Sequence, residues 1–451
     1  MAKDLDILIL AAGRGSRMGS DIPKVLHPLL GEALIRHVLD AALALEPREI
    51  GVIVGHAREQ VRAALEDYDV SFVVQKEQRG TGHAVRCAAK RFAGRKGHVM
   101  ILSGDVPLIR PKTLETFWAN HRASRAPASL ITATLEHPGS LGRIIRDEAT
   151  GRVRKIVEAR DAEFSELAIR EINSGIYLFR NATLFEGLKA LKLHRGAGEY
   201  YLTDVVKQLA EARKKVHAEP IADPSEALGI NTGGELLGAQ ELLRRRIALE
   251  HAARGVELVD PSSTFIAKGV RIGAGTVVWP FSVIMGGVSI GARCRIGPFA
   301  HLRAGTVVGD GASVGNFVEV KNSTLGPDAR ALHLAYLGDA EIGAGANIGA
   351  GAITANFDGV EKNRTRIGPG AFIGSGSVLV APVDIGRDAT VGAGAVVTGG
   401  HDVPDGATVV GVPAREVEAK PRKVRRERGT GRGARGARRR GGSAENQGRD
   451  T

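Results

Sequence analysis

Three short stretches in the first quarter of the chain carry residue types that handle phosphate. Gly13-Arg14-Gly15-Ser16-Arg17 is a glycine loop with two arginines, and Pro23-Lys24 follows it. Glycines let backbone N–H groups approach phosphate oxygens, and arginines add planar cationic forks. The loop is not a P-loop, because no Gly-Lys-Ser/Thr follows. Nor is it a dinucleotide fingerprint, because Met18 stands where the third Gly would be. The second stretch is Gln75-Lys76-Glu77-Gln78-Arg79-Gly80-Thr81-Gly82-His83, and the third is Ser103-Gly104-Asp105-Val106-Pro107. An Asp ending a strand beside a phosphate loop suits Mg²⁺, a hard cation that takes oxygen ligands. The bland reading of Asp105 is a helix N-cap, but Pro107 and Leu108 begin no clear helix. A second constellation lies far downstream: Arg303, Lys321, His333, Tyr336 and Lys362. A cationic pair with a His and a Tyr suits a phosphorylated sugar. Imidazole titrates near neutrality, so His333 is the residue type for a general base.

These groups need two different scaffolds. Around the first group, apolar runs at 5–12, 50–54, 70–74, 98–103 and 128–135 alternate with helical stretches near 57–66, 82–92 and 111–122. A further helix carries Leu34, Ile35, Val38, Leu39, Ala42 and Leu43 on one face. This alternation predicts a mostly parallel, doubly wound sheet, whose ligands lie beyond the carboxyl ends of the strands. A hairpin at 143–157, a strand at 172–179 and helices near 181–190 and 203–214 complete that domain. Around the second group, aliphatic-Gly pairs recur from Ile272-Gly273 to Val391-Gly392 at steps that are almost all multiples of six, or one away. A hexad suits a prism-shaped solenoid of one short strand and one corner per six residues, its aliphatic residue pointing inward and its Gly letting the chain turn. Polar residues interrupt the ladder at 299–303, 315–322 and 333–339, and the stretch 354–362 falls in its longest gap and reads as an extruded loop.

The expected organisation is therefore a first domain over 1–231, a linker helix within 232–260, a solenoid over 261–414 and a basic tail over 415–451. Net charge is +12, but 13 Lys or Arg against 5 Asp or Glu put +8 of it in that tail. The tail lacks an apolar period and reads as disordered. It permits an RNA- or membrane-surface role, but has no aromatic residue for base stacking. The two cysteines, Cys87 and Cys294, allow no disulfide framework, and the run 5–12 is too short for a signal core or a membrane span, so a cytoplasmic protein is expected.

Leu10-Ala11-Ala12-Gly13-x-Gly15-x-Arg17-Met18, Pro23-Lys24, Gln75, Gly80-Thr81-Gly82 and Gly104-Asp105-x-Pro107 resemble the sugar-1-phosphate nucleotidylyltransferases. Gly142-Arg143, Ile156-Val157-Glu158, Glu171-Ile172-Asn173-x-Gly175, Gly198-Glu199-Tyr200-Tyr201-Leu202-Thr203-Asp204 and Gly229-Ile230-Asn231 narrow this. They resemble the bifunctional N-acetylglucosamine-1-phosphate uridyltransferase / glucosamine-1-phosphate acetyltransferase family, over roughly residues 5–414.

The resemblance implies a Rossmann-like α/β nucleotidyltransferase domain followed by an all-β left-handed parallel β-helix of hexapeptide repeats. It implies synthesis of UDP-N-acetylglucosamine, which feeds peptidoglycan, lipopolysaccharide and other cell-wall precursors, by a cytoplasmic homotrimer. Leu10, Ala11, Ala12, Gly13 and Lys24 would hold the nucleotide, Ser103 and Gly104 would contact the UDP-sugar, and Gln75, Gly80 and Thr81 would read uracil. Gly142, Glu158 and Asn173 would hold the amino sugar, Asp105 and Asn231 would bind Mg²⁺, and Arg17 would stabilise the departing pyrophosphate. In the solenoid, Arg303, Lys321, Tyr336, Asn347 and Lys362 would hold glucosamine-1-phosphate, with His333 as base. Ala350, Asn356, Phe357, Ser375 and Ala393 would line the acetyl-CoA site. The chain departs from the family's pattern in three places. Phe357 replaces a frequent Tyr, Gly411 stands near the place of an Arg, and the segment from Asn231 to Arg303 is shorter by roughly two coils. The runner-up is a single-activity nucleotidylyltransferase whose solenoid only trimerises it.

Overall fold

The computed structural model describes residues 2–13, 15 and 18–417. The tail from 418 onward lies outside them. Strand β1 (Ala2–Ala11) is the centre of the first domain. Leu5, Ile7, Ile9 and Ala11 pack on one side of it and Leu8 on the other, so its unbroken apolar run reflects burial on both faces. Its one fully buried charge, Asp6, accepts from Arg48 Nε (2.9 Å) and Arg95 Nη1 (3.1 Å). Strands β2 (Pro47–Val54) and β3 (Ser71–Val74) continue the sheet to one side in parallel. On the other side β4 (His98–Ser103) is parallel to β1.

Next to β4 the sheet reverses. Strand β5 (Ala128–Thr134) is separated from β4 by β8 (Glu171–Arg180), which runs antiparallel to both. Strands β6 (Arg143–Arg146) and β7 (Val153–Val157) form the expected hairpin and attach to β8. The sheet is thus mixed rather than simply parallel. Strand β9 (Val216–Pro220), parallel to β5 at the edge, has no counterpart in the sequence reading. It is only half-buried, so it carries no clean alternation.

Two histidines in this domain are buried in neutral form. His37 donates from Nε2–H to the Leu29 carbonyl (2.9 Å), and burial, with Lys268 nearby, lowers its pKa to about 4. His121 contacts Ser129 Oγ (2.7 Å) and His98 (2.9 Å), and burial, with repulsion from His98, lowers its pKa to about 3. In the unfolded chain both bind protons from about pH 6.5 downward, while the folded protein does not. Stability is therefore intact above that pH and lost as pH falls below it, by about 2 kcal/mol per histidine at pH 5. Trp118 packs on His98 and His121, so its fluorescence in denaturant titrations at pH 7.5 and 5 reads the effect. A midpoint independent of pH would contradict the neutral assignment, and His121→Gln should remove part of the acid sensitivity.

Helix α1 (Gly233–Ala253) leaves the first domain under a capping box formed by Thr232 and Glu235. It leads into a stack of two- to four-residue strands, which among the described residues form three sheets of 10, 8 and 7 strands, parallel but for the last strand of the first. The first of these strands, Glu257–Leu258, precedes Pro261 and already pairs with Val277–Val278. Strands one coil apart pair at a spacing of 18, as Val277↔Arg295, Val283↔His301 and Ser289↔Val307. Each coil is therefore three hexads, one per face. Inward residues such as Ile272, Ile290, Val308, Leu325, Ile342, Ile367 and Ile385 form one continuous core.

The glycines of the ladder serve a different purpose from the expected one. At Gly273 a Cβ would lie 2.5 Å from the Ala292 backbone nitrogen, and at Gly343 2.4 Å from that of Pro369. They are there because the next coil passes too close for a side chain, not to turn the chain. In the extruded loop the spacing rises to 25, as in Asn347↔Phe372. The stack ends with Arg415–Val417 lying antiparallel on Thr408–Val410. Charged, exposed residues there cover the strand edge, which is why these three residues read as tail in the sequence. Among the described residues no helix is long and apolar enough to cross a membrane.

Candidate active sites

The carboxyl ends of β1, β3 and β4 open into a cleft of about 470 Å³. Leu10, Ala11, Ala12, Gly13, Lys24, Gln75, Gly80, Thr81, Ser103 and Asp105 all line it, and the Gly104 N–H donates to the Leu10 carbonyl (2.9 Å) at its floor. Gln75 is buried, and its Nε2 reaches the Gly80 carbonyl (3.2 Å) and His83 Nδ1 (3.0 Å). Burial and the charges of Arg86 and Arg79 lower the His83 pKa, so its neutral ring can accept that hydrogen bond. With its NH₂ engaged, the Gln75 side chain is left its carbonyl oxygen, an acceptor suited to a donor such as an imide N–H. His83 was quoted in the sequence but given no role there. Gly80 is required by its φ of +88° and by the Tyr200 carbonyl, which a Cβ would meet at 2.7 Å. The 198–204 motif thus packs on the 75–83 turn, and Leu202 N–H also donates to Thr81 Oγ1 (3.2 Å).

Asp105 and Asn231 meet because the Ile230 N–H donates to the Asp105 carbonyl (2.8 Å), docking the Gly229-Ile230-Asn231 turn on the strand end. Glu235 of the capping box then holds Asn231 by accepting from its N–H (2.6 Å). The Asp105 side chain accepts from Ser103 Oγ, so it caps no helix. Lys24 Nζ donates both to Asp105 Oδ2 and to Asn231 Oδ1 (3.0 Å). Two hard oxygens thus converge on one cation, a donor set that fits Mg²⁺ when substrate phosphates complete its coordination. No cluster of three or more His, Cys, Asp or Glu among the described residues could hold a metal by itself. Arg17, with Arg14 and Ser16, lies outside the described residues.

Gly142, Glu158 and Asn173 form a second patch beside the cleft. Asn173 N–H donates to the Gly142 carbonyl (2.9 Å), and Asn173 Nδ2 donates to the Tyr177 hydroxyl (2.7 Å). Burial raises the Glu158 pKa. Arg160, two residues on, donates to Glu199 (2.8 Å), which lines the nucleotide cleft, so the two patches adjoin.

In the solenoid the expected residues divide between the two edges of the face formed by Val283–Ile284, His301–Leu302, Glu319–Lys321 and Tyr336–Gly338. At its leading corner, Asn316 and His333 are register partners, and the His333 ring meets Asn316 Oδ1 at 2.7 Å. Carrying the register upward through Ile348, Ile373, Val391 and Val409 places Ala350, Ser375, Ala393 and Gly411 in the same column as His333. One exposed ridge therefore joins the expected base to three expected acetyl-CoA residues, with Gly411 at its end. Beside it Phe281, Phe299 and Phe317 stack at 4.9 and 5.0 Å, all with φ near +55° and all exposed. The 18-residue spacing of these three was available in the sequence but went unread.

At the far edge of the same face, Arg303 donates to Glu319 (2.8 Å), and Lys321 lies in register with Gly338. The extruded loop, closed by a Phe357–Lys362 bridge, sets Lys362 beside Lys321 and so lowers the Lys321 pKa. Burial tends to raise Asp339, but hydrogen bonds from Asn322 and Asn356 and the two lysines more than offset it and leave it below its ordinary value. The Asn356 amide is thus committed to Asp339, and Phe357 is exposed above it. Tyr336 crosses Gly338, where a Cβ would lie 2.5 Å from its hydroxyl. Asn347 belongs to another face, in register with Arg330.

A family model for the MobA-like NTP transferase domain matches residues 7–215. One for the bacterial transferase hexapeptide matches 269–303, 287–322 and 364–399. Fold and sites together define a sugar nucleotidyltransferase fused to a left-handed parallel β-helix of the acyltransferase type. The bifunctional protein GlmU of Pelobacter propionicus is 44% identical over 438 residues, covering 89% of this chain and 95% of its own. That of Brevibacillus brevis is 41% identical over 436 residues, covering 89% and 94%. That of Solibacter usitatus is 41% identical over 420 residues, covering 85% and 90%. The chain belongs to the bifunctional GlmU family, with uridylyltransferase and acetyltransferase activity in UDP-N-acetylglucosamine synthesis.

Proposed function

We propose that the α/β cleft performs the uridylyl transfer and that the ridge carrying His333 performs the acetyl transfer, each with the residues assigned above. The observation that carries this reading is the column linking His333 to Ala350, Ser375 and Ala393. A solenoid serving only as an assembly scaffold has no need of it. In the acetyl step the glucosamine-1-phosphate nitrogen attacks the thioester carbon, the C–S bond breaks and CoA leaves as thiolate. His333 Nε2 takes the proton from nitrogen and returns it to the thiolate, while Asn316 holds Nδ1 and so sets the tautomer. Lys321, Lys362 and Arg303 hold the phosphate, with Tyr336 alongside.

In the uridylyl step an oxygen of N-acetylglucosamine-1-phosphate attacks the α-phosphorus of UTP, and the bond to the β-phosphate breaks to release pyrophosphate. The nucleophile is already anionic, so catalysis reduces to in-line positioning and charge neutralisation. Gln75, Gly80 and Thr81 orient the base, Gly142, Glu158 and Asn173 the sugar, and Lys24 with Arg17 the phosphates. Mg²⁺, held by Asp105 and Asn231, would supply further neutralisation of phosphate charge. The free thiols Cys87 and Cys294 and the substrates of central metabolism favour a cytoplasmic enzyme. The test supplies glucosamine-1-phosphate, acetyl-CoA, UTP and Mg²⁺ together and then separately. CoA release should need no UTP, and pyrophosphate release from ready-made N-acetylglucosamine-1-phosphate should need no acetyl-CoA. CoA release that never occurs would leave the single-activity reading.

The two edges of the solenoid face hold complementary halves of the acetyl site, Asn347 faces elsewhere, and an exposed aromatic stack runs along one corner. These features support a homotrimer in which the ridge of one copy meets the cationic edge of the next. Sedimentation of the active enzyme should give three chains. A fully active monomer would remove both the trimer and the shared site.

A further inference from the structure

Lys24 occupies the point on which the two oxygens of the Mg²⁺ site converge. Its ammonium donates to Asp105 Oδ2 and to Asn231 Oδ1 at 3.0 Å, and both Lys24 and Asp105 are largely shielded from solvent. We propose that Lys24 is an internal stand-in cation that keeps the divalent metal out until a nucleotide triphosphate draws its ammonium away. The proposal rests on the reading of Asp105 and Asn231 as metal ligands and adds an order of binding to it.

An ammonium and a divalent ion cannot share these oxygens. An ion at normal oxygen distance, about 2.0–2.1 Å, would need the place that Nζ now fills, with like charges in near contact. Removing the metal without such a substitute would instead leave the Asp105 carboxylate facing the Asn231 carbonyl with no cation between them, a costly arrangement for partly buried oxygens. The stem of Lys24 is well placed for a switch. Its backbone is held in a short turn closed by the Leu26 N–H on the Pro23 carbonyl (2.8 Å), and its Cβ lies against Gly15, where a glycine Cβ would be 2.6 Å away. The stem is thus pinned to the phosphate loop, and only the outer torsions need turn to carry Nζ from Asp105 to a phosphate in the same cleft. Coupling between two ligands is reciprocal. If UTP removes Lys24 from the metal site, metal and UTP must each tighten the other by the same factor.

The experiment titrates full-length protein with Mn²⁺, read by electron paramagnetic resonance of the free ion. It uses wild type, Lys24→Met and Lys24→Arg, each with and without UTP, and Asp105→Ala as reference. Without nucleotide, Lys24→Met should bind Mn²⁺ more tightly than wild type by roughly 5–150-fold, the span of ordinary couplings. Lys24→Arg, which keeps a cation in place, should stay within a few-fold of wild type. Equal nucleotide-free affinity of Lys24→Met and wild type would overturn the stand-in role. Metal binding that UTP does not promote in any protein beyond the Mn²⁺–UTP complex itself, with Asp105→Ala no different, would instead sink the ligand assignment. A Lys24→Met protein that melts early leaves the comparison of UTP-dependence between wild type and Lys24→Arg. There, loss of nucleotide coupling in wild type would equally refute the proposal.

Discussion

Asp105→Ala is expected to reduce pyrophosphate release from UTP and N-acetylglucosamine-1-phosphate by about 10³-fold or more, roughly 4 kcal/mol of transition-state stabilisation. The size follows from what the side chain does. It is the only carboxylate among the cleft-lining residues that shares a cation with Asn231, and the nucleophile, leaving group and α-phosphate all carry negative charge in the transition state. The fold should survive, because the contact that docks Asn231 uses the Asp105 backbone carbonyl, which alanine keeps. Acetyl transfer should be unchanged, since its residues all lie beyond Gly233. Near-normal uridylyl transfer by this variant at low Mg²⁺ would show that the metal is held elsewhere. Loss of both activities together would mean that Asp105 supports the domain rather than the chemistry.

His333→Ala is expected to lower acetyl transfer by about 10²–10⁴-fold, the usual worth of a positioned base. His333 is exposed at a corner and its neighbours Leu332 and Leu334 are exposed too, so the solenoid core does not need it. Binding of glucosamine-1-phosphate should change little, because the proposed phosphate ligands, Lys321 and Lys362, lie at the other edge of the face. Uridylyl transfer should be unaffected. Asn316→Ala should share part of the defect, because Asn316 holds Nδ1 and leaves Nε2 to act. A His333→Ala enzyme with ordinary acetyl transfer would refute the base assignment, and with it the reading of the ridge as a site.

Much of both domains is legible in the amino-acid sequence. The hexad ladder and the alternating strands and helices are short-range patterns, set by which residues a strand or coil must bury, and each can be read within a few residues. The glycine loop, Gln75 and Asp105 were legible for the same reason: each closely follows a strand, and strand ends in such a sheet share one side, while Lys24, in a short turn of its own, was legible from the motif after the loop.

Contacts across the chain were decided only by the tertiary structure. Nothing local in Gly229-Ile230-Asn231 says that Ile230 will donate to Asp105, or that Glu235 will hold Asn231 from within the next helix. The roles of His83 and Asn316 depend on a turn and on a coil register that place each against its partner. The ladder glycines were visible, but their cause was not, since it lies in the neighbouring coil. The column from His333 to Ala393 needed the register itself. An inserted loop changes the spacing from 18 to 25, so equal steps along the sequence no longer mark equal heights in the stack. A pattern in sequence records what each residue buries. Which residue it meets depends on how the backbone hydrogen bonds align one segment with another, and only the folded chain settles that.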